Sequence, residues 1–281
     1  MFAASGQMVL TSLGFGGLAG IKGTGMNTTL AAAPDRENRY LNRAALSLIA
    51  IAVIGFALFN LSGATDITQM PMITHVHAVT MSAWLGLVAV QSILGSCGSI
   101  TLHLKMGWLG VGLAVIVVVT GLMTAHHTIA SGRLPPFFTP GYFLTLGAMN
   151  LALFTAFVAG AIALRRTTPW HRRLMLGSII MIFEPVLGRV IPFFIIPFLG
   201  GPEAAFPWIL ENREALEMIR LGAHLGIVLV IMLGDRLISG RFHGAYALML
   251  ASVIALYAVT NTVGAAGPVA EYAAGLPPAA P

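Results

Sequence analysis

Charged residues are scarce in this chain. Its 281 residues include 15 Lys and Arg and 10 Asp and Glu, together 9% of the sequence, whereas 57% of the residues are hydrophobic. Soluble domains carry about 25% charged residues, so the composition excludes an ordinary water-soluble globular enzyme. A transmembrane helix needs about 20 apolar residues, and the apolar content is sufficient for roughly six to eight such spans.

Cysteine and lysine are also scarce, and each shortage excludes a class of site. The single cysteine, Cys97, excludes an intramolecular disulfide and a Cys-rich zinc or iron–sulfur site. The lysines are Lys22 and Lys105, and neither lies in the middle of an apolar run, as the Schiff base of a retinal protein requires. Phosphate-binding loops, nucleophile elbows and His-Glu-x-x-His zinc motifs are absent, and no internal repeat indicates an inverted-repeat transporter.

Apolar runs of 18 or more residues predict an all-α, polytopic transmembrane helix bundle. We expect a single transmembrane domain over residues 44–264, a tail and interfacial segment over 1–43, and a C-terminal tail over 265–281. Met26 is an alternative translation start, because the residues before it are Gly-rich and resemble no signal peptide. The seven expected spans are 44–62, 75–97, 106–127, 141–164, 173–199, 216–234 and 244–263.

The distribution of basic residues predicts the orientation of these spans. Cytoplasmic loops retain Lys and Arg, and an N-terminus in the cytoplasm places 11 of the 15 basic residues on that side. The opposite loops are acidic. The pattern predicts a multi-pass protein of the bacterial inner membrane whose partner is the lipid bilayer. It does not indicate nucleic acid, because the net charge of +5 is spread over short loops.

Histidines are the most numerous ionisable groups near the spans, and they form two layers. His103, His171 and His243 lie on the predicted cytoplasmic side. The outer layer contains His75, His77, His126, His127 and His224. Ionisable residues are expensive in hydrocarbon and usually mark function. We therefore expect the chemistry of the chain to lie in these layers.

Two spans carry regular stripes of residues. On the second span, His77, Met81, Trp84, Val88 and Gln91 share one helical face, which we expect to point into the bundle. On the third span, small residues from Gly107 to Gly121 follow His103. This small-residue stripe is typical of close helix packing, and it would also leave space for a flat macrocycle.

The fifth span carries Glu184, Arg189 and several prolines in an apolar run. Glu184 and Arg189 are candidate catalytic residues. Glu184 would act as a proton carrier, and Arg189 would bind an anionic group such as a propionate. Whether the two residues form a direct ion pair stays open, because they are five residues apart and the ideal spacing on a helix is four. Pro185 and Pro192 are expected to kink this helix.

These residues carry a resemblance to known proteins. His77, Leu102-His103 with Gly107, His171 with Met175, and Arg189 with Pro192 resemble a family of bacterial multi-pass membrane proteins of unknown function. More distantly, the chain is similar to transmembrane b-type cytochromes of the b561 type. The resemblance covers roughly residues 75–192.

The resemblance implies haem b held between helices by pairs of histidines at equal depth. His103 and His171 are the predicted inner pair, and His77 with His127 or His224 is the predicted outer pair. Gln91 stands where a second histidine on the same span would be needed, so one haem, or none, is as consistent with the sequence as two. The implied function is electron transfer, with a quinone or a redox protein as partner.

Two non-haem interpretations stay open. His75, His77, His126 and His127 lie near one surface and are candidate ligands for zinc or copper, with Glu184 or Asp66 completing the site. Alternatively, the protein is a transporter or an assembly partner whose histidines are structural.

Overall fold

The computed structural model describes residues 27–96 and 98–276, with side chains from Arg36 onward. Cys97, the proposed start at Met26 and the ends of both predicted tails lie outside these residues. The described chain is helical. The helices are α1 Asn27–Leu61, α2 Met72–Ser96, α3 Ile100–Ala130, α4 Pro140–Ala163, α5 Thr168–Met181, α6 Glu184–Phe198, α7 Pro202–Glu211, α8 Arg213–Ser239, α9 Gly244–Gly264 and α10 Gly267–Ala274.

The predicted all-α, polytopic helix bundle is confirmed. Six described helices (α1, α2, α3, α4, α8 and α9) are long and apolar enough to cross a membrane, and the number rises to seven if α5 and α6 together count as one broken span. Large apolar side chains also point outward, including Leu237, Phe198 and Trp108, which are 87%, 89% and 70% exposed. Such an apolar surface suits contact with lipid. The helices also satisfy their own backbone hydrogen bonds, as a lipid environment requires.

The fifth predicted span is bent by 57° between α5 and α6. Pro185 lies in the first turn of α6, where it cannot donate a backbone hydrogen bond to the preceding turn. The kink predicted at this proline is therefore confirmed. At Pro192, α6 continues without a break to Phe198, so the kink predicted there stays a prediction.

The helices pack into two adjoining groups. In the first group, α1, α2, α3, α4 and α5 form a closed ring of neighbours; in the second, α1, α5, α8 and α9 do so. Trp84 and Phe154 fill the first group, with ring centroids 5.0 Å apart. Trp84 and Val88 are buried, which confirms the inward face predicted for α2. The two groups share α1 and α5.

The bundle has two chemically different ends. The end at which α1 begins is called the basic end, and the other is called the acidic end. The C-terminal segment at the acidic end contains α10, which packs on α4, so part of the predicted tail belongs to the bundle. The basic end carries Arg36, Arg39, Arg43, Lys105, Arg165, Arg166, Arg172, Arg236 and Arg241, and the acidic end carries Asp66, Glu203, Glu211, Glu214, Glu217 and Glu271.

Candidate functional site: paired histidines and a buried ion pair

His103 and His171 lie together at the basic end. Their ring centroids are 6.2 Å apart and their planes are nearly perpendicular, at 82°. His103 lies in the first turn of α3 and His171 in the first turn of α5. Both side chains are half-buried. The structure therefore brings together the two histidines that the sequence predicted as the inner pair.

Both imidazoles are held by backbone carbonyls through the same ring atom. Nδ1 of His171 lies 2.9 Å from the Ala161 carbonyl oxygen, and Nδ1 of His103 lies 3.3 Å from that of Gln91. A carbonyl only accepts, so each Nδ1 donates and each neutral ring carries its lone pair on Nε2. The Gln91 side chain also donates to the His103 carbonyl, at 3.0 Å. The pair therefore has the tautomer that metal-ligating histidines use.

The separation of the rings fits two imidazoles on one metal ion. A metal–nitrogen bond is about 2.0–2.1 Å long and a ring nitrogen lies about 1.1 Å from the ring centroid, so opposed ligands have centroids about 6.2–6.4 Å apart. The observed value is 6.2 Å. Moreover, α3 packs mainly on α2 and α4, whereas α5 packs on α4, α9 and α1. The rings therefore meet between two helices that do not pack extensively on each other.

The outer histidines are dispersed. Nδ1 of His77 lies 3.0 Å from the Thr120 hydroxyl between α2 and α3, whereas His224 lies on α8 and bonds to α5. His127 lines a separate cavity with Ile73, Leu122, Met123 and His126. The hydrogen bonds described for His77 and His224 thus go to different helices, α3 and α5.

The small-residue stripe on α3 packs closely on its neighbours. At Gly121, a Cβ atom would lie 3.0 Å from Leu151 of α4 and 3.1 Å from His77 of α2, and at Gly110 it would lie 3.1 Å from Leu87. A Cβ atom at either glycine would require these neighbouring side chains to shift by a few tenths of an ångström. These positions therefore serve helix packing, which is one of the two predicted roles of the stripe.

Glu184 forms a buried ion pair with Arg220 of α8. Nη1 of Arg220 donates to Oε1 of Glu184 at 2.6 Å, and Nη2 donates to the Tyr142 hydroxyl at 3.3 Å. Glu184 is 4% and Arg220 5% exposed. The sequence drew attention to Glu184 but did not identify Arg220 as its partner. Because Glu184 begins α6, it also faces the positive end of that helix.

Arg189 does not pair with Glu184 directly. Its Nη1 donates to the Pro185 carbonyl at 2.8 Å, and its guanidinium carbon lies 4.2 Å from the centre of the Phe56 ring of α1. The open question of an ion pair between these candidates is thus resolved in favour of separate partners. Arg189 interacts with aromatic rings and backbone on the α1 side of α6.

His224 binds the backbone where the broken span bends. Its Nε2 donates to the Ile180 carbonyl at 2.8 Å, and its side chain is fully buried near the midpoint of α8. At this bend the Ile180 carbonyl also accepts a hydrogen bond from the Phe183 amide, at 3.0 Å. His224 adds a second hydrogen bond to this carbonyl and ties α8 to the end of α5, so its described contact is structural.

A second buried ion cluster lies at the basic end, and sequence reasoning missed it. Arg173 of α5 donates to Asp235 of α8 from Nε at 2.8 Å and from Nη2 at 2.7 Å, and Nη2 also lies 2.9 Å from Glu37 of α1. Arg173 is one of the 11 basic residues that predicted the orientation. The available signal was Asp235, an acid at the end of the apolar run of α8.

His243 caps α9 beside this cluster. Its Nδ1 accepts a hydrogen bond from the Ala245 amide at 3.2 Å, and its ring lies 4.7 Å from that of Trp170. Partial burial, together with the positive charge of Arg173, lowers the pKa of His243 below its usual 6.5. A neutral ring suits this role, because the capping nitrogen must keep its lone pair.

Within residues 27–96 and 98–276, no three His, Cys, Asp or Glu side chains converge as ligands for a metal ion. Comparison with protein-family models, with curated proteins and with solved structures gives no match to the chain. The functional argument therefore depends on the geometry of the chain itself.

Proposed function

We propose that this protein binds one haem b between His103 and His171 and transfers electrons at the basic end of the bundle. The observation that carries the proposal is the pair of imidazoles 6.2 Å apart with both Nδ1 atoms on backbone carbonyls. We further propose that the basic end faces the cytoplasm of a bacterium and that a quinone or a redox protein exchanges electrons there.

The number of ligands favours haem over a bare metal ion. Structural zinc takes four protein ligands and catalytic zinc three, whereas haem supplies four nitrogen donors and needs only axial ligands from the protein. Two imidazoles are what the inner site offers. Bound haem would supply a reversible one-electron couple.

The surrounding residues have definable roles in this proposal. The carbonyls of Gln91 and Ala161 orient the two rings and raise the basicity of Nε2. Lys105 and Arg172 follow closely in sequence, and their positive charge favours anionic groups at this end. Burial of the rings among α3, α4 and α5 restricts water at the ligating nitrogens.

An absorption spectrum of the protein purified from haem-supplied cells tests the proposal. We expect a Soret band that shifts on dithionite reduction, and loss of the band in His103→Ala and in His171→Ala. His75→Ala is the matched control, because this histidine is exposed at the acidic end and should leave the spectrum unchanged. Absence of the band from the wild-type protein after haem supplementation would refute the proposal.

A second candidate function is ion or proton transport along the broken span. The observation that favours it is the buried Glu184–Arg220 pair at the bend, since interrupted helices and intramembrane carboxylates mark ion pathways in transporters. Proton flux into proteoliposomes that is abolished by Glu184→Gln, in protein without haem, would favour this function. An assembly role would show neither flux nor a haem spectrum.

A zinc or copper site at His75, His77, His126 and His127 is the remaining alternative. Elemental analysis separates it from haem. Stoichiometric zinc or copper that is lost in a His75→Ala, His77→Ala double variant supports this metal site, whereas iron lost in His103→Ala supports the inner pair.

A further inference from the structure

A groove between α1 and α8 at the basic end is rich in arginine. It encloses a cavity of about 300 Å³ lined by Arg36, Arg39, Tyr40, Arg43 and Ile238. The three arginines are spaced by three and four residues, so they lie on one face of α1. This groove is separate from the histidine pair, which lies between α3 and α5.

From Arg36 onward, where side chains are described, no carboxylate forms an ion pair with the groove arginines. In the part of the chain with described side chains, the carboxylates form ion pairs only with Arg173 and Arg220. Arg36, Arg39 and Arg43 are exposed. A planar guanidinium binds phosphate through two parallel hydrogen bonds, so three of them in one groove favour a phosphate-bearing ligand.

The shape of the groove is held by close packing of α1 on α8. The Tyr40 hydroxyl donates to the Ile231 carbonyl at 3.0 Å, and its ring lies directly over Gly234, where any Cβ atom would collide with it. The Tyr40 side chain is therefore fixed against α8. It lines the cavity together with the three arginines.

Exposed apolar side chains also lie farther along both helices that form the groove. Ile54 of α1, on the face that Arg43 begins, is 56% exposed, and Val230 of α8 is 69% exposed. A soluble phosphate compound would make no use of this surface. A phospholipid would place its headgroup among the arginines and its acyl chains along these side chains.

We propose that the α1–α8 groove is a binding site for one anionic phospholipid. Phosphatidylglycerol is the probe, because its headgroup is negatively charged, and phosphatidylcholine is the zwitterionic comparison. Each arginine near an anionic lipid contributes to the free energy of binding, and the loss of two arginines should weaken lipid binding roughly thirtyfold. Zwitterionic lipid should show little preference for the groove.

Native mass spectrometry of the detergent-solubilised full chain tests the site by titration with each lipid. We expect one tightly bound phosphatidylglycerol in the wild-type protein and roughly thirtyfold weaker binding in Arg39→Gln, Arg43→Gln. Arg165→Gln, Arg166→Gln is the matched control, because it removes equal charge from the same end but away from the groove. Ile238→Trp fills the groove without changing any charge and should weaken binding comparably.

Three outcomes would overturn the proposal. Equal loss of binding in the Arg165→Gln, Arg166→Gln control would show attraction to the whole basic end rather than to the groove. Unchanged binding in both groove variants would place the lipid elsewhere. Displacement of phosphatidylglycerol by millimolar inorganic phosphate would show that the groove binds free phosphate and makes no use of acyl chains. Far-UV circular dichroism of each variant confirms that it is folded.

Discussion

Replacement of Asp235 should be among the most destabilising single changes in this protein. Arg173 is 2% exposed and Asp235 is fully buried, whereas Glu37, the other partner of Arg173, is 22% exposed. In Asp235→Asn, the buried guanidinium keeps only the more exposed carboxylate. Removing one partner of a buried ion pair costs about 3–5 kcal/mol, because the remaining charge stays desolvated. We expect a loss of this size in the free energy of unfolding.

Replacement of Glu37 should cost less stability than replacement of Asp235. Glu37→Gln removes a contact at 2.9 Å, but water reaches this side chain and Asp235 still neutralises Arg173. Its cost should be about 1 kcal/mol, as for solvent-screened pairs. The double variant Arg173→Met, Asp235→Leu removes both buried charges, and it should be considerably more stable than Asp235→Asn.

Equilibrium unfolding in mixed micelles of dodecyl maltoside and increasing SDS, followed by circular dichroism, measures these differences. Glu203→Gln is the control, because Glu203 is exposed at the acidic end and its replacement should change stability by less than about 0.5 kcal/mol. The reasoning is refuted if Asp235→Asn costs under about 1 kcal/mol, or if the double variant is no more stable than Asp235→Asn.

Two further predictions concern single hydrogen bonds. His224→Leu removes one of two donors to the Ile180 carbonyl, which still accepts a hydrogen bond from the Phe183 amide, so the change should cost about 0.5–1.5 kcal/mol in the same unfolding assay; His224→Gln, which keeps a donor, should recover part of the loss. At the acidic end, two hydrogen bonds from Thr68 lower the pKa of Asp66 below its usual 3.8. The protection of the Thr68 amide from hydrogen exchange should therefore be complete above that usual value and disappear as the pH falls through the lower, folded-state pKa. Asp66→Ala should lack this protection at every pH, and equal protection in this variant would contradict the assignment.

The spans were predictable from sequence because lipid imposes a strict condition on the backbone. Each crossing segment must satisfy its own peptide groups, which requires long apolar helices. The bend in the fifth span was only partly predictable. Pro185 begins a helix after a break, whereas Pro192 continues one, and proline is compatible with both situations. Averaged hydropathy carries no information about the direction in which the chain continues.

In the candidate site, only the pairing of His103 with His171 was predictable, because it depends on the depth of each residue along the bundle. His103 and His171 were paired because both follow a short loop on the same side, and two helix starts at one end of a bundle lie at similar depth. The partner of Glu184 is 36 residues away, and those of Arg173 are 62 and 136 residues away. Such pairs depend on which helices become neighbours, and a single sequence does not contain that information.

The sequence Trp170-His171-Arg172-Arg173 shows how one helix turn serves both helix groups. An α-helix turns by about 100° per residue, so side chains two positions apart point about 200° apart. His171 accordingly meets His103 of the first group, while Arg173 meets Asp235 of the second. The ion cluster therefore holds α5 in one rotation about its axis.

Weakening this ion cluster by Asp235→Asn should also disturb the spacing of the two imidazoles, although neither ring contacts the substituted residue. With haem bound as proposed, a broadened or shifted absorption spectrum in a folded Asp235→Asn protein would be the expected sign of this coupling, whereas an unchanged spectrum would show that the Ala161 carbonyl alone orients His171.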